Sequence, residues 1–177
     1  MKNLKSILSC LIAATIIIAL FSCSENSIQE KSIEKKPGGP SYTPSPYPED
    51  RFYTEDHVWV KLESESIALV GVTTFPLNAT GTIVASLDPI DEPILGKTGI
   101  PKKKIVQELV GTLSNFSVLM PVYGDCTDVN PEVKVNPSII NTDTYGLGWI
   151  LQISNFDIND VQNLMTAAEY TIFVSGL

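Results

Sequence analysis

What the chain has too little of narrows its chemistry before any pattern is read. It holds one histidine, His57, in 177 residues. A hydrolytic triad needs a histidine hydrogen-bonded to both a nucleophile and an acid, and no G-x-S-x-G elbow accompanies His57. Cysteine occurs only at Cys10, Cys23 and Cys126. One histidine with so few thiols cannot build an ordinary zinc site. Asp125, Asp128 and Glu132 lack the acidic repeat and glycine of a calcium loop, and no phosphate loop occurs. Lys and Arg number 12 against 20 Asp and Glu, a formal charge of −8. Phosphate binding needs clustered Lys and Arg, so nucleic acid is not an expected partner. No metal and no catalytic site are expected, and the chain does not read as an enzyme.

What is present begins with a targeting segment. Lys2 and Lys5 form a positive start, and residues 7–21 form an apolar run. The run is short for a spanning helix and has signal-peptide flanks. Leu20-Phe21-Ser22-Cys23 is similar to a bacterial lipobox, which implies cleavage after residue 22 and acylation of Cys23. Several acyl chains suffice for stable anchoring. Residues 1–22 are therefore the signal, and the protein is expected in the cell envelope. Ser24 after the lipid cysteine, rather than Asp, favours the outer over the inner membrane by similarity to sorting rules. With Cys10 removed and Cys23 acylated, Cys126 has no disulfide partner. Its acidic neighbours Asp125 and Asp128 disfavour a thiolate, so it reads as a small buried residue.

Residues 23–50 change character. Pro37, Pro40, Pro44, Pro46 and Pro48 stand among serines and glycines, with few large aliphatics. Such a segment buries too little apolar area to offset its ordering entropy and reads as a tether. As a coil it reaches on the order of 30 Å. The folded domain is expected over residues 51–177, starting near Phe52.

Within it, Val58, Val60 and Leu62 alternate with His57, Trp59 and Lys61, a strand pattern. Residues 67–72 are apolar on both parities, as in a strand buried on two faces. Pro76 ends that strand, and residues 75–79 form one helical turn. Residues 83–87, 125–129 and 149–153 are further strands. Residues 106–110 and 116–122 flank Gly111, Ser114 and Asn115, a β-hairpin with a small uncharged tip. Asp157 or Asn159 can cap a short helix, and Thr166-Ala167-Ala168-Glu169 fits a capping box. Strands of this length between Gly, Pro and Asn clusters indicate an all-β sandwich or flattened barrel with a short C-terminal helix.

A set of motifs carries a resemblance. Tyr53-Thr54-Glu55-Asp56-His57-Val58-Trp59 and Val70-Gly71-Val72-Thr73-Thr74-Phe75 stand upstream. Met120-Pro121-Val122-Tyr123-Gly124 follows, then Val129-Asn130, Asn136-Pro137, Asn141, Asp143 and Tyr145-Gly146-Leu147-Gly148-Trp149. In that order the chain resembles the glycine cleavage system H proteins. The resemblance implies a lipoyl/biotinyl-type hybrid fold and makes His57 and the Tyr145–Trp149 segment structural. In that family a lysine at the hairpin tip, eight residues before the proline, carries the lipoyl arm. Counting back from Pro121 reaches Leu113, and Gly111, Thr112, Ser114 and Asn115 beside it are not lysine either. The nearest lysines are Lys104 and Lys134. The stretch before the hairpin is also roughly five residues longer than the resemblance implies, as surface loops tolerate. It ends in Lys102, Lys103 and Lys104, which read as a solvated loop.

The expectation is a membrane-anchored module without a lipoyl cofactor, binding or scaffolding an unknown protein partner. Two alternatives stand beside it: a lipoyl-dependent aminomethyl carrier, and an adaptor for an envelope enzyme or transporter.

Overall fold

The computed structural model describes residues 45–88 and 93–177. The signal segment, Cys23 and the tether up to residue 44 lie outside the described residues. Among the described residues, eight strands form two antiparallel sheets. The larger runs in the order β1 (Phe52–Tyr53), β2 (Val58–Leu62), β3 (Ile67–Val72), β8 (Leu151–Ser154) and β7 (Asp125–Val129). The smaller joins β4 (Ile83–Leu87), β5 (Ile105–Gly111) and β6 (Asn115–Leu119). This is the expected all-β sandwich class with a C-terminal helix. β-branched and aromatic runs form the strands, as pleated half-buried surfaces require.

One core draws on both sheets, with Val60, Val70 and Ile153 from the larger and Ile83, Leu109 and Val118 from the smaller. A second, aromatic cluster holds Tyr47, Tyr53, Trp59, Ala167 and Tyr170. Trp59 is therefore buried, although strict alternation placed it opposite Val58 and Val60 on a polar parity. β2 has cores on both faces. Gly71 makes room for it: a Cβ there would lie 2.4 Å from the Trp59 ring. Arg51 covers the same indole at 4.7 Å from its ring centroid, and its guanidinium donates to the Tyr145 carbonyl at 2.9 Å.

Several boundaries differ from the sequence expectation. Packing starts before Phe52: Tyr47 is buried against Tyr53 and Tyr170, and Ser45 Oγ donates to the Ala167 carbonyl. The proline-rich composition hid this tyrosine. His57 is not in a strand but precedes β2 with a φ of 62°. Ile67, at the start of β3, is exposed rather than doubly buried. The helical turn after β3 is a seven-residue helix, α1 (Thr74–Thr80), which tolerates Pro76 in its first turn because that N–H has no partner there anyway. β6 stops at Leu119, just short of Pro121, which has no N–H to extend a ladder, although the Met120 N–H still donates across the hairpin to the Lys104 carbonyl. β8 begins at Leu151.

Short helices close the remaining edges. Asn130 caps α2 (Pro131–Val135) through its side-chain oxygen, while its amide nitrogen donates to the Leu147 and Trp149 carbonyls. Asn141, in α3 (Ile139–Thr142), accepts from the Ile83 N–H and donates to the Ile83 carbonyl, covering that end of β4. Asp157 caps α4 (Ile158–Gln162), and the Thr166–Glu169 capping box opens α5 (Ala167–Ser175). Among the described residues no helix is long and apolar enough to cross a membrane.

Candidate functional site

The β5–β6 hairpin is built as a clamped projection. Val110 pairs with Asn115, and the Gly111 N–H closes the turn on the Ser114 carbonyl at 3.0 Å. The tip then folds against the end of α1. The Leu113 and Ser114 N–H groups donate to the Thr80 carbonyl at 3.0 and 3.3 Å, and Thr112 N–H donates to Thr82 O at 3.0 Å. Side chains add to this: Ser114 Oγ donates to Ala79 O, and Thr112 Oγ1 accepts from Thr82 N–H. Gly81, at φ 76°, permits the approach, since a Cβ there would meet Thr112 Oγ1 at 2.5 Å and Leu113 Cγ at 2.9 Å. These bonds fix the backbone and leave the Leu113 side chain 75% exposed. An isobutyl group offers neither a nucleophile nor an acceptor.

Neither nearby lysine reaches this apex. Lys104 lies where β5 begins, beside the Ile105–Leu119 pair, so the length of β5 separates it from the tip, about 20 Å at strand rise. Lys134 is held 3.5 Å from Asp88. Lys103, at φ 66°, lies 3.8 Å from Asp56. Lys102 and Lys103 with Glu55, Asp56, Leu164 and Met165 line an open cleft of about 260 Å³. That cleft is not legible from residue order, because its walls come from three separated segments.

The other singled-out residues are engaged structurally. His57 Nδ1 lies 2.8 Å from the Tyr170 hydroxyl, its ring against Phe75. Burial lowers its pKa, with Asp56 opposing. Cys126 is buried, and burial above all, with Asp128 and Asp88 adding, pushes its thiol up to about 11. That thiol is not a nucleophile at neutral pH. Asp125 accepts from the Gly99 N–H and Asp128 from the Val129 N–H. Among the described residues no group of three or more His, Cys, Asp or Glu is placed to hold a metal ion. Cys23 lies outside the described residues.

Comparison with known proteins gives one consistent result. The family model for glycine cleavage H-protein matches residues 51–176. A glycine cleavage system H protein of Bacteroides fragilis is 31% identical over 132 residues, covering 73% of this chain and 98% of that one. The H protein of Thermus thermophilus is 31% identical over 123 residues, covering 70% and 91%. Among solved structures, the H protein of Mycobacterium marinum matches with a TM-score of 0.62 at 29% identity, covering 74% of this chain and all of that one.

Proposed function

The chain belongs to the glycine cleavage H-protein family, and from that membership we propose a lipid-anchored envelope protein whose domain binds or scaffolds a partner and carries no lipoyl group. The observation that supports this most is the clamped tip. A swinging arm needs an amine to form an amide with lipoate, and residues 111–115 contain none. The fold of a carrier persists while the group it would display is an exposed leucine. Fold alone does not fix function.

A second argument is independent of the tip. Residues 1–23 resemble a lipoprotein signal, which would remove the chain from ATP-dependent lipoate attachment in the cytosol. Family membership itself favours the competing reading, a lipoyl-dependent aminomethyl carrier. That reading then requires a lysine elsewhere, and Lys102, Lys103 and Lys104 sit at the opposite end of the hairpin.

Mass spectrometry decides between them. The chain from Ser24, which retains every described residue, is produced in the cytosol of a host that has lipoate and its ligase. The wild type is expected at its polypeptide mass and Leu113→Lys with a partial lipoyl adduct. An adduct on the wild type overturns the proposal.

A further inference from the structure

We infer that β1 and α5 wall a peptide-binding groove whose ligand is this chain's own segment Ser45-Pro46-Tyr47-Pro48, a strap that leaves the groove without unfolding the domain. The strap lies outside any helix or strand. Tyr47 is its anchor. That residue is 8% exposed, with its ring edge-on to Tyr170 at 4.7 Å and tilted against Tyr53 at 5.8 Å. Polar contacts fix the two ends. Ser45 Oγ donates to the Ala167 carbonyl at 3.1 Å and lies 2.7 Å from Thr171 Oγ1, both on α5. At the other end the Tyr53 hydroxyl of β1 donates to the Pro48 carbonyl at 2.6 Å. Between them the Tyr47 N–H turns back to Ser45 Oγ at 3.1 Å.

The strap is bound as a ligand is bound. Each of those hydrogen bonds involves a side chain, and Pro46 and Pro48 have no N–H with which to extend a ladder. Proline-flanked segments are extended before they dock, so aromatic-lined grooves take them at low entropic cost. The walls are held by other contacts. Tyr53 exchanges backbone bonds with Met165 at 2.8 and 3.0 Å, and β1 pairs with β2. The Tyr170 hydroxyl is fixed by Thr73 and His57, and the capping box at Thr166 and Glu169 secures the start of α5. The family model begins at residue 51, so it spans both walls and leaves the strap out. The groove therefore takes an extended peptide with a tyrosine between two prolines and a serine two residues before it. This site goes beyond the reading above and does not require acylation of Cys23.

Peptide titration followed by NMR tests it, on the nitrogen-15-labelled chain from Ser24. The probe is the capped hexapeptide of residues 45–50, Ser-Pro-Tyr-Pro-Glu-Asp. Tyr47→Ala removes the anchor of the strap and opens the groove, with circular dichroism as the control for folding. The hexapeptide should then give saturable shifts at the Tyr53, Met165 and Thr171 amides. The wild type should respond at least roughly tenfold more weakly, because its own strap competes at a high effective concentration. A hexapeptide with alanine in place of its tyrosine should also bind the variant at least roughly tenfold more weakly, since the aromatic contacts go with the ring. Tyr47→Leu serves if Tyr47→Ala does not fold. A folded variant without saturable shifts overturns the proposal, as does equal affinity for variant and wild type, which would place the peptide elsewhere. If neither variant folds, the strap is a fixed part of the core and the proposal is likewise overturned.

Discussion

His57 and Tyr170 are joined by a 2.8 Å hydrogen bond that fastens α5 to the start of β2. The same Tyr170 hydroxyl lies 2.7 Å from Thr73 Oγ1, and its ring stacks on Tyr53 at 4.8 Å. Burial raises the Tyr170 pKa, so the phenol stays protonated and can donate to a neutral imidazole. The first prediction follows from that pair. Burial lowers the His57 pKa below 6.5, with only the adjacent Asp56 opposing. The unfolded chain therefore binds a proton on His57 more readily than the folded one, and stability rises with pH. The contribution is fully present above pH 6.5 and is lost as pH falls through 6.5 toward the folded value. Denaturant midpoints measured between pH 8 and pH 5 should fall for the wild type and flatten in His57→Gln. Asp50 and Glu169, whose pKa values are lowered, act in a more acidic window. Equal slopes for the two proteins would refute this role for His57.

Gly81 is the second point of test. Its φ of 76° and ψ of −156° lie in a region that is essentially glycine-only. A methyl group there also meets Thr112 Oγ1 and Leu113 Cγ. Gly81→Ala should cost about 1–3 kcal/mol. The loss should be accompanied by faster hydrogen exchange at the Leu113 and Ser114 amides, which Thr80 O now protects. A global loss with tip exchange unchanged would mean that Gly81 does not hold the clamp.

The sequence carried most of the sheet. Alternating or continuous apolar runs located β2, β3, β4 and the hairpin, and the Asp157 and Thr166 caps fell where Asx and capping-box chemistry placed them. What it did not carry depends on contacts between distant segments. The left-handed conformations of His57 and Lys103 arise in non-glycine residues, so nothing in the composition marks them. Tyr47 is invisible because its pocket is made by Tyr53 and by Tyr170 of α5. The hairpin tip was legible in position and residue type, but its clamp was not, since the acceptors belong to α1 rather than to the hairpin.

Anchoring supplies the third prediction. Leu20-Phe21-Ser22-Cys23 motivates it. Mature protein is expected to begin at Cys23 and to partition into detergent, and Cys23→Ala should remain unprocessed or become soluble. If that variant fractionates like the wild type, the lipoprotein reading fails whatever the hairpin carries.

Gln107 gives the last prediction, and it concerns a polar residue on the inner face of a core strand. Its register partner is Val118, and both side chains are fully buried. Among the described residues, neither the amide nitrogen nor the oxygen of Gln107 has a hydrogen-bond partner. A buried polar group left unpaired costs about 1–3 kcal/mol, whereas an apolar group of the same shape at that position costs nothing of this kind. Gln107→Met keeps the approximate volume and removes the carboxamide. Its unfolding midpoint should therefore equal or exceed that of the wild type. Leu109→Ala, two residues along the same buried face, supplies the contrast, because deleting its methyl groups should cost about 2–5 kcal/mol. A Gln107→Met variant that loses more than about 1 kcal/mol would show that the carboxamide is paired in solution. Gln107 would then be a polar link within the core rather than a tolerated burial.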